Sequence, residues 1–281
     1  MPRYGALEAG GTKFLAAVGE DPLRLENITR IPTSNEPAET MEAVIDYFLR
    51  AGPLESLGVA TFGPVDLATG RITTTPKLAW RDYPLRETLA RALGVPVVLD
   101  TDVNGAALAE ARLGAGRGVD DLVYFTVGTG IGGGAITGGR LLHGRMHPEM
   151  GHLLVRRAPG EAADFRGVCP YHADCLEGMA SGPAIEARWG ATPESLPARH
   201  AAWRLEADYL AQACMAAVCV LSPSVIVLGG GVMEQEQLLE MVRQRLNEYA
   251  QRYFPLPRIE RPALEHPGLS GAMMLAMKAA R

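Results

Sequence analysis

The chain has no excess of basic charge: 27 lysines and arginines stand against 32 aspartates and glutamates, for a net charge of −5. Without a basic stripe no nucleic-acid partner is expected, and any phosphate site has to be built from local groups. It also lacks an unbroken apolar run long enough to span a bilayer. The longest apolar region, Tyr209 to Met233, is interrupted by Gln212 and by Ser222-Pro223-Ser224, so it reads as a core helix followed by a strand, with no membrane partner. An apolar strand pattern begins within a few residues of Met1, without the order of a secretory signal, and a cytoplasmic location is the expectation. Cysteine is scarce, four in 281 residues, which excludes a disulfide-dense scaffold. Cys214 and Cys219 fall inside the apolar helix with no polar metal partners beside them and read as buried small apolar residues.

The other two cysteines sit in a different setting. Cys169, His172 and Cys175 are separated by two residues at each step, so three soft or borderline ligands converge in one short loop. Closing a tetrahedral zinc site takes a fourth ligand. His152, in His147-Pro148-Glu149-Met150-Gly151-His152, is the best candidate, because His147 is tied to Pro148 and His143 lies further back. The alternatives are a surface loop with two free thiols, or a Cys169–Cys175 disulfide.

Glycine, by contrast, is abundant at 32 residues, and its placement is informative. The apolar runs Tyr4 to Glu8 and Phe14 to Val18 flank Gly10-Gly11-Thr12-Lys13, a hairpin turn whose backbone N–H groups, hydroxyl and ammonium suit a phosphate. The same design recurs at Gly128-Thr129-Gly130-Ile131-Gly132-Gly133 between the strands Leu122 to Val127 and Gly134 to Thr137. Two such units suggest an internal duplication with two phosphate-contacting turns. A third glycine run, Gly229-Gly230-Gly231 with Val232 and Met233, follows the strand Val225 to Leu228 and permits close approach of a flat ligand; a permissive turn is the alternative. Helices are expected over Glu36 to Ala51, Tyr83 to Leu93, Val103 to Leu113, Leu196 to Leu221, Gln235 to Tyr253 and Gly268 to Ala280. Thr73 to Trp80 reads as an irregular segment, either lining a cleft or anchored on the surface by a half-buried Trp80. The strand Val95 to Leu99 delivers Asp100-Thr101-Asp102-Val103-Asn104 where a helix starts, the usual place for a ligand in open α/β sheets. There Asp102 is either a helix cap or a proton acceptor, with Asn104 able to orient a hydroxyl.

Taken in order, Ala6 to Lys13, Asp102-Val103-Asn104, Thr126 to Gly134, His147 to His152 with Cys169, His172 and Cys175, and Val225 to Met233 resemble the motifs of the ROK family (repressors, open reading frames, sugar kinases), most closely its bacterial fructokinase branch. The resemblance covers nearly the whole chain. It implies an α/β, two-lobed actin/hexokinase/Hsp70-like (ribonuclease H-like) fold with a cleft between lobes: residues 1–114 and a returning helix 268–281 in the first, residues 115–267 with the zinc loop in the second. ATP would lie against Gly11, Thr12, Lys13, Thr129, Gly130, Pro183, Gly229, Gly230, Gly231, Val232 and Met233, with Mg2+ on its phosphates. Asp102 would be the general base, and Asn104, Glu149, His152 and Glu177 would hold sugar hydroxyls. A structural zinc on His152, Cys169, His172 and Cys175 would fix the loop presenting them, and a homodimer is implied. Glu8 stands where the wider superfamily has Asp helping to hold metal-bound water, a mark of the fructokinase branch; an ordinary strand-end carboxylate is the alternative.

The activity this implies is ATP-dependent phosphorylation of a hexose, D-fructose to D-fructose 6-phosphate, in carbohydrate metabolism. Positioning and charge stabilisation dominate phosphoryl transfer, so an oriented hydroxyl, a carboxylate and phosphate clamps suffice. Glucokinase or N-acylmannosamine kinase is the runner-up. A ROK repressor would need a helix-turn-helix before Tyr4, and a non-catalytic sugar sensor should lack Asp102 or a phosphate turn.

Overall fold

The computed structural model describes residues 2–279. In chain order its elements are β1 (Tyr4–Ala9), β2 (Lys13–Asp21), β3 (Arg24–Pro32), α1 (Pro37–Ala51), β4 (Ser56–Thr61), β5 (Val65–Asp66), β6 (Arg71–Ile72), α2 (Leu85–Leu93), β7 (Val97–Thr101), α3 (Asp102–Leu113), β8 (Leu122–Val127), β9 (Ile131–Thr137), β10 (Arg140–Leu141), α4 (Leu176–Ala180), α5 (Gly182–Trp189), α6 (Ala202–Leu221), β11 (Val225–Gly229), α7 (Leu238–Ala250), β12 (Arg258–Glu260) and α8 (Pro267–Ala279). Residues 280 and 281, included in the expected last helix, lie outside the described residues. No helix among those described is long and apolar enough to cross a membrane.

The chain divides into two compact units. One runs through Leu113 and adds Leu141–His147 and the stretch from Leu264 onward; the other is Gly114–Arg140 with Pro148–Ala263. Leu141–His147, which the sequence assigns to the second lobe, thus packs with the first unit. Its anchor is His147, which is buried and whose Nε2 accepts the Val65 N–H at 3.0 Å.

The first unit is built on a sheet ordered β3-β2-β1-β4-β7. β1 pairs antiparallel with β2 and parallel with β4, and β4 runs parallel to β7. The side-chain period of two sorts β1 between layers. Leu7 and Ala9 join Met41, Val44 and Phe48 of α1 and Leu85 and Leu89 of α2; Tyr4 and Ala6 join Leu269, Ala272, Met273 and Ala276 of α8. β3 has no counterpart in the sequence reading because it is an edge strand, exposed along most of its length and carrying Arg24, Glu26 and Arg30 instead of an apolar run. Trp80 is fully buried, not half-buried, against Phe14, Phe62 and Tyr83, with its indole N–H on the Ser34 carbonyl.

On the α8 side, α3 and α8 meet backbone to backbone. A Cβ on Gly271 would lie 1.9 Å from the Gly105 carbonyl oxygen, and one on Gly58 would lie 1.8 Å from the Ala272 carbonyl oxygen. The chain entering α8 is held by the Leu264 N–H on the Glu110 carboxylate of α3, at 3.0 Å.

The second unit repeats the plan: β10-β9-β8-β11-β12, with β8 antiparallel to β9 and parallel to β11, and β11 parallel to β12. β8 is buried except at Thr126, and β11 is buried throughout, as central parallel strands covered on both faces are. α6 fills the core with Trp203, Tyr209 and Leu210. Cys214 is buried with it, but Cys219 is exposed, because the last turn of α6 has left the core and Val220 beside it is 79% exposed.

Replacing Gly271 by alanine is expected to lower stability by about 3 kcal/mol or more, since the obstructing atom is backbone and cannot turn aside. Equilibrium urea unfolding of the variant, compared with an exposed-site control such as Ala79→Gly, measures it.

Candidate active site

In the first unit, the Gly10–Lys13 turn is closed by the Gly10 N–H on the Lys13 carbonyl at 3.0 Å. It is stapled from outside by Thr33, whose hydroxyl donates to the Gly10 carbonyl and whose N–H donates to that of Thr12. Gly11, Thr12 and Lys13 stay exposed on this rigid support. Glu8, one strand residue back, is spent elsewhere. Its carboxyl accepts the Leu269 N–H near the start of α8; burial raises it above the ordinary range, opposed by the charges of Lys13 and His266.

At the carboxyl end of β7 the helix cap is Thr101: its Oγ1 accepts the Asn104 N–H at 3.2 Å, the bond by which an N-cap satisfies the third helical donor. Asp102, half-buried in the first turn, accepts the Val103 N–H at 2.9 Å and is not needed for that cap. Asn104 departs from its expected role. It is fully buried, its amide nitrogen donates to Asp100 Oδ1 at 2.8 Å, and its Oδ1 is sealed from solvent, so a sugar hydroxyl cannot reach it in this conformation. Asp100 and His143, which the sequence reading passed over, complete the cluster, with His143 Nε2 2.8 Å from Asp100 Oδ2. The signal for Asp100 was a carboxylate on a buried strand; His143 is forty-odd positions away with no periodicity to link them.

In the second unit, the turn after β8 gathers the other glycine motifs. The Gly182 N–H donates to the Gly128 carbonyl at 2.7 Å, which sets the start of α5, with exposed Pro183 and the Ser181 cap, beside Thr129 and Gly130. Gly230, at φ 92°, lies against the backbone of Val127. Of the run expected to meet a nucleotide, only Gly230 and Gly231 are exposed; Gly229, Val232 and Met233 are buried, because the strand end and the following turn are core. Arg261 fastens that turn by donating to the Met233 and Gln235 carbonyls.

The stretch from Pro148 to Cys175 has little regular structure, and its order comes from side chains. Arg188 pairs with Glu161 at 2.9 Å, lies 4.1 Å over the Phe165 ring, and Tyr209 donates to the same carboxylate. The ligand atoms of His152, Cys169, His172 and Cys175 all lie within 4.8 Å of one another. His152 Nδ1 is 3.5 Å from Cys175 Sγ and 3.7 Å from Cys169 Sγ, and Cys169 Sγ is 3.9 Å from His172 Nδ1. Zinc bonded to sulfur at about 2.3 Å and to nitrogen at about 2.0–2.1 Å sets its ligands about 3.3–3.8 Å apart. The donor set and spacing therefore fit a tetrahedral zinc. Both thiols are free, so the disulfide alternative falls.

Two carboxylates flank this cluster. Glu177 Oε2 accepts the Ile131 N–H at 3.0 Å, and a side chain on Gly130 would collide with it, a Cβ there lying 2.7 Å from the same oxygen. Glu149 keeps solvent access, yet the protein crowded around its carboxyl, and secondly the negative charge of Glu177, raise it to about 7.

Two sheets of one topology, a glycine hairpin opening each, and a Cys/His cluster place the chain in a known class. The chain belongs to the ROK family, whose model matches residues 4–279. It is 42% identical to a fructokinase of Zymomonas mobilis over 98% of this chain and 97% of that one, and 39% identical to a fructokinase of Pediococcus pentosaceus over 98% of each. Among solved structures it is similar to a ROK hexokinase from Thermus thermophilus, at 33% identity and a TM-score of 0.82 over 98% of each chain. The fold is thus the expected α/β fold of the actin/hexokinase type.

Because Glu177 holds Glu149 up by its charge, Glu177→Gln is expected to lower the Glu149 midpoint from about 7. Carboxyl-carbon NMR titration reads this directly; an unmoved midpoint would leave desolvation as the whole cause.

Proposed function

We propose that the protein is an ATP-dependent hexose kinase that converts D-fructose to D-fructose 6-phosphate, with Mg2+ entering on the nucleotide. The observation that carries the reading is Asp102: a half-buried carboxylate in the first helical turn at the end of a parallel strand, at the position that the resemblance gives to the general base. Full-length likeness to fructokinases at 39–42% identity supports fructose over other hexoses. In this reading Asp102 takes the proton of the sugar hydroxyl as the phosphoryl group leaves ATP. The nucleotide contacts that the resemblance gives are Gly11, Thr12, Lys13, Thr129, Gly130, Pro183, Gly230 and Gly231. Glu149, His152 and Glu177 hold sugar hydroxyls. A cytoplasmic homodimer is the setting that the resemblance implies.

The zinc of this proposal is structural: His152, Cys169, His172 and Cys175 would hold it, and four protein ligands leave no open position for a reacting water. Without a cation, burial pushes the Cys175 thiol up to about 11, so binding would have to displace protons. Metal analysis of purified protein is expected to give one zinc per chain, lost in Cys169→Ser together with sugar affinity. Full activity in protein holding well under one zinc per chain would overturn it.

The function is tested by coupled ADP release over fructose, glucose, mannose and N-acetylmannosamine. Fructose is expected to have the highest kcat/KM, with mannose second. A preference for glucose would replace fructokinase by glucokinase, and no release with any sugar would favour a sensor. Asp102→Asn is expected to keep both substrates bound and to lose about 10²–10⁴ in kcat, because an amide accepts no proton; near-normal turnover would return Asp102 to a structural role.

A further inference from the structure

The carboxyl end of β7 carries a second carboxylate with a different fate from Asp102. Asp100 is buried, with 5% of its side chain exposed, and both its oxygens are engaged. Oδ1 accepts the Asn104 Nδ2–H and the Thr101 N–H, each at 2.8 Å, and Oδ2 lies 2.8 Å from His143 Nε2. An ionised carboxylate has no hydrogen to give, so the imidazole donates and its proton sits on Nε2. Asn104 Nδ2 is 3.2 Å from the same Nε2; both atoms are donors to Asp100, so they stand side by side on one acceptor group.

This arrangement settles the orientation of each partner. Turning the Asn104 amide over would set two oxygens together, so the amide nitrogen stays on Asp100 even though its Oδ1 is left buried without a hydrogen-bond partner. With Nε2 committed, Nδ1 is the ring nitrogen of His143 left for a further partner. His143 is also the one member of the trio with solvent access, 34% of its side chain, while Asp100 and Asn104 are buried. The segment that carries it does not need it as an anchor, because buried His147 on Val65 already pins Leu141–His147. A carboxylate that fixes the tautomer of a half-exposed histidine, two residues before the proposed general base, is the arrangement by which proteins aim an imidazole at a ligand. Hydrogen bonding to Asp100 also holds the His143 imidazole above its usual range, against partial burial and the positive charge of Lys278.

We propose that His143 is a substrate-binding residue that meets a hydroxyl of the sugar through Nδ1, and that Asp100 and Asn104 are positioning residues behind it. The proposal rests on the sugar-kinase reading above. It takes Asn104 out of direct contact with the sugar and puts His143 in its place.

The test is steady-state kinetics of the full-length enzyme with fructose and its monodeoxy derivatives. His143→Ala is expected to raise KM for fructose about three- to tenfold, the loss of one hydrogen bond, with KM for ATP unchanged. The decisive reading is selectivity: the one deoxy sugar that lacks the hydroxyl met by His143 should be penalised by wild type and not by the variant. His143→Gln, whose amide can still donate to Asp100, guards against misfolding and should lose the same selectivity. Asp100→Asn should raise KM for fructose as well, and its effect should not add to that of His143→Ala, as for residues acting through one another. A uniform loss over all sugars, or an unaltered KM for fructose, would overturn the proposal. Wild-type turnover with unaltered selectivity in the variants removes this proposal alone, whereas a wild type that phosphorylates no sugar removes the kinase reading and this proposal with it.

Discussion

Side chains cannot come between α3 and α8. Gly105 on one helix faces Gly271 on the other at a distance where a single methyl would strike a carbonyl oxygen, and Gly58 of β4 meets Ala272 in the same way. Such contacts allow one register and no sliding, because interiors at this packing density do not yield to an added carbon. The position of α3 follows from that register, and with it everything at the helix start: the Thr101 cap, Asp102 in the first turn, and Asn104 buried against Asp100. The Leu264 N–H on Glu110 and the Glu8 carboxyl near the start of α8 tie the same helix pair to the first glycine turn. Chemistry at the end of β7 (Val97–Thr101) thus depends on a helix, α8 (Pro267–Ala279), that arrives much later in the chain.

The second unit solves a different problem. Glu149 and Glu177 stand at opposite ends of a stretch with almost no ladder hydrogen bonds, and a loop of that length loses too much entropy on ordering to be held by chance contacts. Its order comes from two side-chain clusters, the Arg188–Glu161–Tyr209 network and the four ligand atoms of His152, Cys169, His172 and Cys175. A cation on those four would join the second cluster into a fixed corner, which is the usual service of a closed Cys2His2 site. Glu177 is then aimed by the Ile131 N–H beyond Gly130, so one carboxylate is held at once by the second hairpin and by the helix that follows the cluster.

The two sheets share an order, a hairpin with a glycine turn at the first strand, and parallel strands beyond it. The turns hold the same place in the two sheets, but their supports differ. The first is braced by Thr33 from the edge-strand side, and the second by the start of α5 and by Gly230 packed on Val127. The same backbone device is thus held rigid by different neighbours, which is why the turns are legible as repeats while their braces are not.

What the sequence by itself determined is whatever short range controls. Both hairpins, the helix starting after Asp100, the spacing of Cys169, His172 and Cys175, and the motif order that marks a ROK protein depend on neighbours in the chain or on residue types that admit few alternatives. Tertiary structure decided the rest, because it turns on solvent access and on partners distant in sequence. Cys219 is exposed where burial was expected, and Trp80 is fully buried where half-burial was one of two alternatives, since burial belongs to the whole layer and not to the residue. β3 was invisible because most of it is exposed and its few inward apolar residues, Leu25 and Ile31, are interspersed with charged ones. Asn104 carried the right chemistry in the right motif, yet packing turned it inward and spent it on Asp100, while His143, with no motif pointing to it, was brought to the same carboxylate by a loop that left its expected unit.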